Sequence, residues 1–211
     1  MSSYSFIFTI IVSSILISQN NQGNLLQQIE ENSKKINANQ NKVYKQAKAL
    51  ERGGMIDEAA VLYREILNDN PSNSSAFRSL KNILKKDQLW DDMIKLAKKY
   101  SEHSNDPTAE VELMEIYLWA SESKMAYAIA DEMIASDLLN IDGKKKITSR
   151  LLQNKHLEHA LKIVNSMRKK DNKSFYSLEL GAHYSMRMDF INSLNEYLLH
   201  VNYKKKNFDL V

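Results

Sequence analysis

Cysteine is absent from the 211 residues, and there are only two prolines and five glycines. Without cysteine there is no disulfide framework, no thiolate nucleophile and no thiolate metal site. The same absence fits an oxidising compartment and the cytoplasm equally, so it leaves location open. Scarce Pro and Gly, with many Leu, Ile, Lys, Glu and Met, favour helix throughout. No serine sits in a nucleophile elbow, and no glycine-rich loop follows a strand pattern. Gly53-Gly54 reads as a turn between helices, not a phosphate cradle. The acidic pairs Asp91-Asp92 and Glu30-Glu31 are adjacent, so on a helix they point to different azimuths and make poor acid–base partners. Among His103, His156, His159, His183 and His200, only His156 and His159 could share a site. Their His-Leu-Glu-His run lacks the i, i+4 spacing of a zinc helix and has no evident third ligand, so they read as surface histidines at a turn. The expectation is a non-enzymatic protein with no catalytic residue, cofactor or metal.

Long apolar runs are also missing. The longest, Phe6 to Ile17, falls short of the ~20 residues of a membrane span but suits the apolar core of an export signal. No Lys or Arg precedes it, and no Cys follows it to carry a lipid. Residues 1–18 are therefore expected to be a signal peptide or amino-terminal anchor. The chain would then be exported to the periplasm or cell envelope, with membrane contact only through residues 6–17 if the signal stays uncleaved. Residues 19–39, rich in Asn, Gln, Ser, Lys and Glu, read as a polar linker.

What the chain does have is a period. Gly54 opens a helix whose apolar face is Ala59, Tyr63 and Ile66–Leu67, closed by Pro71; a smaller face of Val43, Ala47 and Leu50 precedes it. Two short helices sharing a turn cannot bury their apolar faces alone, so further copies are expected. The small residue of the second helix recurs, degenerately, as Ala59, Met93, Ala126, Ala160 and Ser193, in steps of 34, 33, 34 and 33 residues. Asn70-Pro71-Ser72-Asn73 supplies a stop and cap candidates for the next helix, and Asp106-Pro107 a start for the third pair. Phe77, Leu80, Leu84, Trp90, Ile94 and Ala97 continue the core pattern, followed by Leu113, Met114, Ile116, Tyr117, Ala130 and Met133. Ile147, Leu151, Leu157, Val164 and Met167 then lead to Leu180, Gly181, Tyr184, Phe190 and Tyr197.

With Ala47, Gly54, Ala59, Tyr63 and Pro71 in place, the pattern resembles the tetratricopeptide repeat (TPR) family. The resemblance covers residues 40–207 and implies an all-α, right-handed α-solenoid of about five helix–turn–helix repeats, with residues 208–211 as a tail. It further implies a groove lined by the first helix of each repeat, receiving an extended peptide or a partner helix. Carried over place by place, the groove set is Asn41, Tyr44, Lys48, Arg52, Arg78, Asn82, Lys85, Val111, Leu118, Trp119, Lys145, Ser149, Phe175, Leu178 and Met186. Arg78 and Asn82 resemble part of the family's carboxylate clamp, but Glu112 stands where that clamp needs a base. Trp119, Phe175, Leu178 and Met186 are expected to form an apolar binding patch.

Charge is uneven. The third repeat is acidic and the fourth basic, with Lys144, Lys145, Lys146, Arg150, Lys155 and Lys162 among its cations. Two solvated faces attracting each other across their junction is the plain expectation. The function implied is a scaffold or adaptor for a protein or peptide partner. An alternative is nucleic-acid binding by the basic second and fourth repeats, which the intervening acidic repeat argues against. A further alternative is an amino-terminal module of a larger repeat protein.

Overall fold

The computed structural model describes residues 38–136, 138–170 and 173–208, together with the isolated residues 31, 34 and 35. The apolar run of residues 6–17 lies outside them. Among the described residues ten helices follow one another without a strand. Helix α1 is described over 38–52. After it come α2 (Ile56–Asp69), α3 (Ser74–Lys86), α4 (Trp90–His103), α5 (Ala109–Trp119), α6 (Ser123–Ala135), α7 (Ile141–Gln153), α8 (Leu157–Lys170), α9 (Ser177–Met186) and α10 (Phe190–Phe208). Helices α5 with α6, α7 with α8 and α9 with α10 pack as hairpins, and the succession of helices is that of an α-solenoid. The chain divides into two compact units, one up to Ile83 and one from Leu84 onward.

The repeat is written most plainly in the turns. Each hairpin carries one residue with left-handed backbone: Gly54, Gln88, Ser121, Lys155 and Met188. Just beyond it, a backbone N–H donates to a carbonyl five residues back: Met55 to Leu50, Leu89 to Leu84, Glu122 to Tyr117, His156 to Leu151 and Asp189 to Tyr184, at 2.8–3.0 Å. This closes the first helix with a Schellman-like cap. Only the first turn uses glycine, although the left-handed region disfavours any residue with a Cβ by about 1 kcal/mol. Asn73 caps α3 through the Ala76 N–H at 3.0 Å, and Asn140 caps α7 through the Gly143 N–H at 2.9 Å. Asp106 instead holds Thr108 in a turn, and α5 starts only at Ala109.

The small residues do lie at helix crossings: Ala59, Ala126 and Ala160 are fully buried, and so is Met93 where a small residue is usual. At the last crossing Ser193 is buried too, and its hydroxyl donates to the Gly181 carbonyl at 2.9 Å. Phe190 departs from the expected core; it stands 67% exposed at the start of α10, where no described helix follows to cover it.

Candidate functional site

In the first unit the expected groove residues meet a partly buried polar cluster. Tyr44 and Tyr63 pack ring against ring at 5.7 Å. The Tyr63 hydroxyl donates to Glu51 at 2.7 Å, and burial, with that carboxylate second, pushes its pKa well above the ordinary tyrosine value. Lys48 donates to the same carboxylate at 2.8 Å, and the Tyr44 hydroxyl lies 3.3 Å from Ser79 Oγ. Arg52, Arg78 and Asn82 are exposed nearby in sequence.

In the second unit several groove expectations are corrected. Val111 and Leu118 are 1% and 6% exposed. The cause is that α5 packs on α4, α6 and α7 together, so it is apolar and buried on nearly every side. Phe175 is 1% exposed because it sits in the turn before α9, tucked into the core, where Arg168 Nε donates to its carbonyl at 3.0 Å. Trp119 is half-buried, with the exposed Lys85 ammonium 3.4 Å above its ring centre. Of the expected apolar patch, only Leu178 and Met186 stand well out into solvent, at 50% and 80%.

Acidic third and basic fourth repeats do attract, through specific pairs. Lys146 lies 3.6 Å from Glu112, Arg150 lies 3.2 Å from the buried Glu115, and Lys162 lies 3.2 Å from Asp131. His159 is not the surface histidine expected. It is 9% exposed, stacked flat on Tyr127 at 4.0 Å and bonded to Asp131 at 3.0 Å, while His156 bonds the Tyr127 hydroxyl at 2.7 Å. These side chains fasten one repeat to the next. Among the described residues no three His, Asp or Glu side chains gather as a metal site.

In the fifth hairpin α9 packs on α10, and polar bonds again join it to the fourth repeat. Lys145 reaches Glu179 at 2.8 Å, the Ser149 and Tyr176 hydroxyls meet at 2.6 Å, and Arg168 grips Glu196 with two guanidinium nitrogens, one at 3.0 Å. Between α7 and α9 this leaves a cleft of about 350 Å³ lined by Ser149, Leu152, Gln153, Tyr176, Glu179, His183, Met186 and Arg187. It falls at the lower end of the size range of ligand pockets. Ser149 and Met186 were expected in a groove and are brought together here, with Lys145 one bond away through Glu179. Leu178 is not in the lining.

Six lining residues lie outside the expected groove set: Leu152, Gln153, Tyr176, Glu179, His183 and Arg187. Tyr176 has left-handed backbone immediately before α9, which turns its ring across to α7, and burial raises its pKa. Burial, then the charge of Arg187, lowers the His183 pKa and favours neutral imidazole, whose Nε2 has no hydrogen-bond partner. A signal was present in the sequence: Glu179, His183 and Arg187 recur at four-residue steps, which puts them on one helical face. A second cleft, of about 440 Å³, is built largely from the loop residues Pro107, Thr108, Leu138, Leu139 and Asn140.

No family model matches the sequence, and no curated protein matches it. Among solved structures, the chain is similar to the crystal structure of the MamA protein, at 15% identity and a TM-score of 0.46, over 81% of this chain and 94% of that one. It is also similar to YrrB, described as a TPR protein with an unusual peptide-binding site, at 13% identity and a TM-score of 0.42, over 77% of this chain and 90% of that one. The fold described above rests on this chain's own helices.

Proposed function

We propose that this TPR-like array is a non-enzymatic protein-interaction module that takes an extended peptide or partner helix between α7 and α9. The observation that carries the reading is the open cleft between α7 and α9. It combines an apolar arm (Met186), hydrogen-bonding groups (Ser149, Gln153, Tyr176) and the charges of Glu179 and Arg187. A few placed polar groups around an apolar contact are what orient a peptide. Nucleic-acid binding is disfavoured, because several fourth-repeat cations are spent on Glu112, Glu115 and Asp131. Export remains part of the proposal, resting on the apolar run of residues 6–17; fractionation of the native cells tests it, and protein found only in the cytoplasmic fraction with Met1 intact overturns it.

The binding site itself is tested with peptides selected from a random library against the immobilised chain. They should bind the parent and lose ~10-fold or more in affinity to Met186→Glu and to Ser149→Trp, which alter and fill the cleft. A surface control, Val61→Glu, should bind as the parent does. Selected peptides indifferent to both cleft substitutions would remove the site.

A further inference from the structure

The face of a second helix that receives the next repeat can be traced through this chain. On α6 it is marked by Tyr127, which stacks on His159, and by the buried Ile134. One repeat on, the same places on α8 are Leu161, half-buried, and Arg168, which bonds Phe175 and Glu196 of the following hairpin. One further repeat on, they are Leu194 and Val201 of α10, and here they are 58% and 49% exposed. Phe190, Ile191 and Leu198 join them at 67%, 77% and 50%. At about 100° per residue these five fall within one face roughly 100° wide. It lies beside the face that packs on α9 through Ser193 and Tyr197.

We infer that this bare face of α10 is a self-association surface that docks against the same face of a second copy of the chain. Two features select a second copy over another partner. The first is charge. No ionisable side chain lies within the stripe between Phe190 and Val201, and Asn195 and Asn202 border it. A two-fold interface sets like against like, so charge on such a face would repel itself, whereas an asparagine amide both donates and accepts and can satisfy its own copy. Area is the second. Five large side chains exposed to this degree hold about 500 Å² of apolar surface, at the upper end of what a monomer shows. Pairing two such faces buries about 1,000 Å², the least that a biological interface clears and the range of a weak, concentration-dependent dimer. Met188, 79% exposed just before the helix, would add to it. Antiparallel pairing about the middle of the stripe brings Leu194 close to its own copy.

The absence of cysteine makes the test clean. In light scattering over a concentration series, the full chain should move from one chain mass to two. Leu194→Asp and Leu198→Asp should each weaken that association ~100-fold or more, by burying unpaired charge, with helical content by circular dichroism unchanged. Under mild oxidation Leu194→Cys should form a covalent dimer, and Val61→Cys, equally solvent-facing, should form it far more slowly. A parent that stays monomeric throughout the series overturns the inference. So does an oligomer that survives both aspartates, or equal cross-linking at residues 61 and 194.

Discussion

Adding one methyl group at Gly181 tests the packing of the last hairpin, because two effects of opposite sign meet there. Replacing a helical glycine by alanine ordinarily stabilises by about 0.5–1 kcal/mol, since alanine has less backbone freedom to lose. At this position, however, a Cβ would sit 2.8 and 2.9 Å from two carbons of the Tyr197 ring. The ring is held between α9 and α10, and the 2.9 Å bond from Ser193 to the Gly181 carbonyl fixes how closely the helices approach. Overpacking of this kind costs ~1–3 kcal/mol, so Gly181→Ala should come out destabilising by about 1 kcal/mol. Urea unfolding followed by circular dichroism reads the difference, and hydrogen exchange should place the loss in α9 and α10, because repeats touch only their neighbours. In a Tyr197→Ala background the obstacle is gone, and the same Gly181→Ala change should stabilise by ~0.5–1 kcal/mol. If Gly181→Ala stabilises the parent as much as it does the Tyr197→Ala protein, the close approach of these helices is not as described.

Ala126 is fully buried at a crossing and Ala49 is exposed, so Ala126→Leu should destabilise by ~1–3 kcal/mol and Ala49→Leu by a few tenths at most, measured by urea unfolding. Gln88, Ser121 and Lys155 hold left-handed turns without glycine, so glycine at each should raise stability by ~1 kcal/mol, whereas glycine at a helical surface position such as Glu65 should lower it. His183 has a depressed pKa when folded, so below about pH 6.5 the unfolded chain binds this proton more readily and stability falls as pH falls toward the folded pKa. Unfolding across that window should show a shallower decline for His183→Gln, and an unchanged decline would remove His183 as a contributor.

The repeat was legible because crossings need small or buried residues at fixed distance, and Ala59, Ala126, Ala160 and Ser193 keep that distance. The turns were not, apart from Gly54, because the hydrogen bond that shapes them is made by backbone alone and tolerates Gln, Ser, Lys or Met. Groove residues were half legible. Family places indicate which way a side chain points from its own helix, but not how many neighbours surround that helix. Val111 and Leu118 therefore read as groove and proved to be core once α4, α6 and α7 closed around α5. Phe175 read as helical and proved to be a turn residue, because the connection into α9 takes up part of the expected helix. The stripe on α10 needed the structure, since Leu and Ile at those places also suit a covered helix; only their exposure distinguishes the two cases.

The claim that a peptide is held between α7 and α9 is tested most directly by hydrogen exchange on the full chain, with and without the tightest peptide selected against it. The account predicts added protection concentrated in Ile141–Gln153 and Ser177–Met186, abolished by Met186→Glu. Protection confined to α10, to the first unit or to the loops around Pro107 and Leu138, with α7 and α9 exchanging as in the free chain, would contradict it.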